Sequence, residues 1–356
     1  MGDQISHITG QSDVFMPSGI FNVEATYQRL QRRFGDRVRR NEPLALHSAF
    51  GVGGTADIWL TVDMQNELTG LVSFCAEEHC PLLVIGNASN IIFTEGGVRG
   101  IVARMAGNEY HIDEEANGTA LLSASAGCNW PNLARELAPL GWRGLEFGVG
   151  IPGTLGGGLV SNAGAHAHEL GEILEWIEML DARGCNMEGD ALSLPIRKHY
   201  KKEDLDLGYR YSRFRKGHES VIDAQGKMLP VPHQLIEPTE IILTLGIRLQ
   251  RETPRALIEH ISEYRARRLE NEPLESHTGS IFKDTPQRLA KDLIEQVGLK
   301  GFTMGKAQFS ERNANYIVNR GDATTNDIVS LVEMAHRQVL EKTNINLELN
   351  VELRGA

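Results

Sequence analysis

The sequence predicts a mixed α/β protein of the α+β kind, built from more than one domain. Three observations carry that reading. The chain has 356 residues, more than a single core of ordinary size organises. Its texture changes near residues 105 and 250. Its 37 glycines are clustered, with seven of them between 148 and 164.

Taken in order, residues 1–22 are polar with Gly and Pro and read as a loose leader. A helical pattern follows at 23–38. Gly51, Gly53 and Gly54 form a turn that feeds a strand, and 65–79 is helical again. PLLVIG (81–86) is a short apolar run ending in glycine, which predicts a buried strand. A polar loop, NASN, and a further strand complete a small α/β unit over 23–105. From 106 to 249 strand-like runs (TALLSASAG, LEWIEMLDA, EIILTLGIRL) surround short helices and glycine loops. From 250 to 349 helices dominate: one ends at Pro273, and others are expected at 286–297 and 324–342. A last strand is expected at 345–353, with 350–356 packing back on the first unit.

Composition removes several classes of function. With 36 basic and 47 acidic residues the net charge is −11, so no general basic face for nucleic acid is expected. No apolar run reaches the ~18 residues of a membrane helix. The N-terminus lacks a basic flank and an apolar core, so no signal peptide is expected. Met1, Gly2 and Ser6 fit the loose myristoylation pattern, but nothing polybasic follows. Four cysteines without a CxxC pair point to a reducing, cytoplasmic location.

The most informative stretch is GVGIPGTLGGGLVSNAGA (148–165). So many glycines disfavour a regular element, and they let backbone N–H groups approach a ligand closely, as in phosphate-binding nests. A tight turn around a core is the bland alternative. The stretch is not GxxxxGK[ST], so it is no P-loop. GxGxxG can be read at Gly148, Gly150 and Gly153, but without a βαβ unit or a fitting acid beyond it. A second strand-exit loop, Gly86, Asn87, Ala88, Ser89, Asn90 and Ile91, offers further backbone donors. Together the two loops suggest a grip on one diphosphate. Arg210, after Tyr209 in YRYS, could clamp a carboxylate, although a lone arginine is more often a surface charge. Ser280 in HTGSIFKDTP has no neighbouring base and is not a triad nucleophile, but a hydroxyl can donate a proton. In the tail, Leu347, Leu349 and Val351 alternate with Glu348, Asn350 and Glu352.

The ordered set NEPLALHSAFGVGG, GNASNIIF, LEFGVGIPGTLGGGLVSNAGAHAHELGE, YRYSRF, GSIFKDTP, GLKGFTMGKAQFSERNANYIVN and LELNVELRG runs from Asn41 to Gly355. It resembles the UDP-N-acetylenolpyruvoylglucosamine reductases, flavoproteins of bacterial cell-wall precursor synthesis. The resemblance implies a two-part FAD-binding unit of the vanillyl-alcohol-oxidase type and a C-terminal domain for the UDP-sugar. It implies FAD held non-covalently by Gly86, Asn87, Ala88, Ser89, Asn90 and Ile91, together with Gly148, Ile151, Pro152, Gly153, Thr154, Gly156, Gly157, Asn162, Ala163, Gly164 and Ala165. NADPH is the implied hydride donor and UDP-N-acetylglucosamine enolpyruvate the implied substrate, with a monomer expected. Arg210, Ser280 and Glu348 are the implied catalytic residues: a cation, the proton donor to C2, and a protonated hydrogen-bond donor to the enolate. Tyr209, Arg210 and Lys283 are the implied substrate contacts. Arg265, Arg267 and Arg268 are further candidate cations.

Departures from the family pattern are Asp284 with the inserted Thr285, Asn313 and Asn350. Asp284 is expected to repel a diphosphate. The short spacing from Ser280 to Glu348 fits a compact subclass. The long one from Arg210 to Ser280 places a surplus at 216–240, either a surface hairpin or a cover over the site. Two other functions share parts of this pattern: an oxidase on the same FAD scaffold, and a non-enzymatic flavin or UDP-sugar binder. The third-domain motifs argue against the first, and Arg210, Ser280 and Glu348 against the second.

Overall fold

Burial on both faces of its central strands organises the first unit. The computed structural model describes residues 21–186, 193–277 and 279–356. The leader expected over 1–22 lies outside it, apart from Phe21 and Asn22. Asn22 is already structural, because its side chain accepts the Ala25 N–H and caps the helix Val23–Phe34. Five strands follow one another across the first sheet: Val38–Pro43, Thr55–Val62, Val98–Met105, Leu82–Ile85 and Ile236–Glu237. Only the first pair is antiparallel. Leu30 and Phe34, with Leu68 and Leu71 of the helix Gln65–Glu77, cover one face over Ile58, Leu60, Leu82 and Ile101. Leu44, Trp59, Leu83 and Phe93 fill the other. Parallel strands need this double cover, which is why LLVI reads as an unbroken apolar run.

The second unit is antiparallel. Its sheet orders Ile196–Lys201, Leu174–Asp181, Glu240–Arg251, Thr119–Ser125 and Tyr110–Glu114, with Trp142–Arg143 joining the long strand at one end. One face packs on the helix Trp130–Leu137 and on the glycine stretch, through Trp130, Leu133, Phe147, Leu155 and Leu159.

The third unit stacks the helices Ala290–Gln296 and Thr325–Thr343 on a three-stranded sheet, Thr303–Met304, Ala307–Phe309 and Ile317–Asn319. Thr324 and Asp327 close a reciprocal cap at the start of the long helix, and Asn344, at φ 55°, ends it. Pro254 opens the preceding helix Pro254–Asn271 behind the capping Thr253, and it stops two residues before Pro273.

Two connections differ from expectation. The strand expected at 345–353 is regular only at Glu352–Arg354, which pairs in parallel with Ile91–Phe93 of the first unit. Upstream, the chain is held against 281–283 instead: the Asn350 N–H donates to the Ile281 carbonyl and the Lys283 N–H to the Glu348 carbonyl. The alternation was real, since Leu347, Leu349 and Val351 are buried, but it serves a bridge between domains. The surplus at 216–240 does contain a hairpin, Val221–Ile222 with Met228–Leu229, docked on the long helix through Lys227 and Glu333. It then returns to the first sheet as Ile236–Glu237, so it straps the units together. Among the described residues no helix is long and apolar enough to cross a membrane.

Candidate functional site

A cleft opens where the two sheets and the C-terminal strand meet. Gly86, Asn87, Ala88, Ser89, Asn90 and Ile91 line it, facing Thr154, Gly157, Val160 and Ser161 from the glycine stretch. The two loops touch. The Ser89 hydroxyl donates to the Pro152 carbonyl at 2.8 Å. A Cβ at Gly86 would stand 2.5 Å from Thr154 Oγ1, and one at Gly153, held at φ 127°, 2.8 Å from Ser89 Oγ. Side chains there would close the cleft, so the glycines keep backbone donors reachable by a ligand's phosphates. That cradle fits the diphosphate of a dinucleotide such as FAD.

Four other residues expected at the cofactor, Gly148, Gly156, Asn162 and Ala163, are packed into the protein interior. A Cβ on Gly148 would strike the Trp130 indole at 2.0 Å, and one on Gly156 would meet Ala126 at 2.7 Å; both glycines permit close packing. Asn162 is 2% exposed, and its amide is used internally: it donates to Glu169 and to the Gly208 carbonyl and accepts from the Gly171 N–H. Ala163 is buried, while Gly164 and Ala165 form a small ladder with Glu169 and His168. Sequence reasoning missed the far wall: Phe214, His218, Pro238, Glu240, Glu352 and Arg354. Phe214 lay inside the quoted YRYSRF motif. Glu352 and Arg354 lay inside the quoted tail motif LELNVELRG and Glu240 opens the quoted run EIILTLGIRL, but nothing local marked them, His218 or Pro238 as lining the cleft.

Behind that wall, Glu237 is fully buried. His218 Nδ1 lies 2.8 Å and Arg354 Nη1 2.9 Å from its Oε1. Burial opposes ionisation of Glu237, but His218 and the Arg354 charge outweigh it and hold the carboxyl below its usual range. The Glu237 hydrogen bond in turn raises His218, against its own burial.

The catalytic candidates gather around the third unit's edge. Asn315, 4% exposed, clamps the serine segment: its side chain accepts the Phe282 N–H and donates to the Phe282 carbonyl, while its carbonyl takes the Ile281 N–H. Ser280 is thus fixed half-buried at the domain junction. Arg210, at φ 52°, donates to the Gly164 carbonyl at 3.0 Å. The neighbouring Tyr209 hydroxyl reaches Asp284 at 3.3 Å. Asp284 itself accepts the Ala290 N–H at 2.7 Å, so the expected repulsive carboxylate is occupied at the start of a helix.

The tail differs from expectation. The Glu348 side chain is 71% exposed and lies 3.3 Å from Lys283 Nζ, at the open edge of the site rather than enclosed in it. Asn350 is the tail residue against the serine: its Nδ2 donates to the Ser280 carbonyl at 3.0 Å. Its own carbonyl takes Asn90 Nδ2 at 2.7 Å, which links the serine to the glycine-bounded cleft, and its buried Oδ1 has no partner. Of the arginines on the helix Pro254–Asn271, Arg265 and Arg267 face solvent, and only Arg268 turns inward, onto Gly150.

A dinucleotide cleft across two adjoining units, with a third unit presenting a serine and cations to it, has the form of a flavin-dependent oxidoreductase. Residues 56–187 match the model of an FAD binding domain, and residues 271–354 match that of the UDP-N-acetylenolpyruvoylglucosamine reductase C-terminal domain. The chain is 33% identical over 331 residues to the UDP-N-acetylenolpyruvoylglucosamine reductase of Heliobacterium modesticaldum, covering 92% of this chain and 94% of that one. It is 31% identical over 335 residues to the Clostridium botulinum (strain Okra) enzyme, covering 92% and 98%. The crystal structure of the Thermus caldophilus reductase superposes with a TM-score of 0.65 at 30% identity, over 89% of this chain and 98% of that one. The chain belongs to the UDP-N-acetylenolpyruvoylglucosamine reductase family.

Proposed function

We propose that the protein reduces the enolpyruvyl group of UDP-N-acetylglucosamine enolpyruvate to give UDP-N-acetylmuramate, with NADPH as reductant, in the cytoplasm. The observation that carries this reading is the convergence of the glycine-bounded cleft with the Ser280 segment, joined through Asn90 and Asn350. FAD, when bound, supplies the chemistry of accepting a hydride from NADPH and passing it to the substrate's C3. The loops 86–91 and 148–165 hold its diphosphate, with Thr154 and Gly157 foremost.

The protein's own groups do the rest. Hydride addition at C3 leaves negative charge on the substrate carboxyl and C2. Arg210, already directed at the glycine stretch, supplies a fixed cation for that charge, and preorganised donors of this kind contribute about 3 kcal/mol each. Ser280 gives its hydroxyl proton to C2; a serine is a weak acid, and an enolate is basic enough to take the proton. Asn350 positions the serine segment by donating its side-chain amide to the Ser280 carbonyl. Lys283, 13% exposed and flanked by Glu219 and Glu348, anchors the UDP-sugar with Tyr209.

The test is an anaerobic absorption titration of the FAD-loaded protein. The flavin band should bleach with NADPH and return only when the enolpyruvyl sugar is added. A band that bleaches and is not restored by that sugar would leave the flavoprotein class standing and remove the substrate.

A further inference from the structure

The chain that leaves the YRYSRF motif buries a cation that the reaction above does not use. Arg215 closes the short helical turn Arg213–Arg215 and is 1% exposed. Its Nη2 donates to the Asn350 carbonyl at 3.3 Å. Its ion-pair partner is Glu219, whose Oε1 lies 3.4 Å from Nε. Among the described residues, Nε and Nη1 complete no hydrogen bond. Glu219 is also shared: the same oxygen lies 3.7 Å from Lys283 Nζ, which faces Glu348 as well. A guanidinium loses its hydration on burial, and one carbonyl bond with a shared, partly exposed carboxylate returns little of that cost. An apolar side chain of similar length would fill the same space without it. Stability alone therefore does not account for a charge at this position.

What the charge holds is the tail. A carbonyl oxygen has two lone pairs, and at Asn350 both are taken. Asn90 Nδ2 donates to it from the 86–91 loop at 2.7 Å, and Arg215 Nη2 donates to it from the second unit's side. Two donors from separate parts of the fold fix that peptide group. The Asn350 N–H goes to the Ile281 carbonyl, and its Nδ2 goes to the Ser280 carbonyl at 3.0 Å. The orientation of Asn350 thus sets the place of the serine.

We propose that Arg215 is a positioning residue for Ser280, acting through Asn350. The inference rests on the reading of Ser280 as the proton donor to C2. In this role Arg215 needs no contact with the substrate. It keeps the tail peptide, and with it the serine segment, in register with the loop that borders the cofactor cleft. The step it serves is the transfer of the serine proton to C2. Reduction of the flavin by NADPH does not involve Ser280, so that step is independent of Arg215.

The experiment uses the FAD-loaded full chain and follows the two halves of the reaction separately by stopped-flow absorption. Wild type is compared with Arg215→Met, Arg215→Lys, Asn350→Ala, Ser280→Ala and the double variant of Arg215→Met with Asn350→Ala. Arg215→Met should bleach normally with NADPH. Its turnover at saturating enolpyruvyl sugar should fall roughly 10- to 100-fold, the scale of a small misplacement of a reacting group. Arg215→Lys keeps one charged donor for the Asn350 carbonyl and should recover most of that loss. In the double variant, Arg215→Met should cost no more than about threefold beyond Asn350→Ala, where independent sites would multiply their losses. If Arg215→Met does not fold, Arg215→Gln takes its place in every comparison. Normal turnover in the uncharged variant overturns the positioning role. So does an Arg215→Lys no faster than that variant, a change confined to KM for the sugar, or losses that multiply. Ser280→Ala that still turns over overturns the serine reading beneath it. A dead Ser280→Ala beside a normal Arg215→Met overturns the role of Arg215 alone.

Discussion

Ser280, Glu348 and Asn350 show how little separates a side chain held within the fold from a solvated one. Glu348 and Asn350 are two residues apart and share one side of an extended segment. Yet one carboxylate stands in water beside Lys283, and the other side chain holds the serine's carbonyl. Ser280→Ala should still let NADPH bleach the flavin while losing turnover by two orders of magnitude or more, read by stopped-flow and steady-state assay. Glu348→Gln releases Lys283 from its nearer carboxylate, so it should move KM for the UDP-sugar and change kcat less than threefold. Asn350→Ala should do the opposite, with kcat falling tenfold or more, because the segment that carries Ser280 loses its side-chain support.

The segment 279–283 has no regular structure of its own and depends on its neighbours. Asn315 pairs with Phe282 in both directions, and the tail pairs with Ile281 and Lys283. Asn315→Ala would leave a buried N–H and a buried carbonyl without partners, each costing about 1–3 kcal/mol. The variant should unfold at lower denaturant concentration and turn over slowly even where it remains folded. The long helix is tied in the same cross-domain way: the Thr325 hydroxyl donates to the Phe93 carbonyl, and its N–H to Glu95. Helices were legible because capping and periodicity are local. The bridge at 345–350 was misjudged as a strand because alternation records which side is buried, not which partner supplies the hydrogen bonds.

The three units act as one because two short segments return across them. Glu352–Arg354 and Ile236–Glu237 both join the first unit, and there the buried Glu237 meets Arg354 and His218. Arg354→Leu would strand a carboxylate that is fully buried, a loss of about 3 kcal/mol. It should also speed FAD release, measured by flavin fluorescence. The pH dependence follows from the two shifts. Glu237 is lowered, so its contribution is present above the ordinary carboxylate value and fades as pH falls through its folded one. His218 is raised, so its contribution is present below the ordinary imidazole value and fades as pH rises through its folded one. FAD retention should therefore be best in the mildly acid range between them and decline on both sides. His218→Gln should remove the alkaline decline.

Read alone, the sequence determined the mixed α/β class and where its glycine-containing loops fall in the chain. Each of these is written in contiguous residues: apolar runs set strands, caps set helix ends, and small residues mark where backbone must come close. Tertiary structure decided which glycines face the cleft and which pack on Trp130 and Ala126, and that Asn162 is spent on internal hydrogen bonds. It also decided that Asn350 rather than Glu348 holds the serine's carbonyl. The reason is physical: a side chain's partner is chosen by distance across the fold, and pairs such as Asn90 with Asn350, or Phe282 with Asn315, become neighbours only when distant parts of the chain pack together.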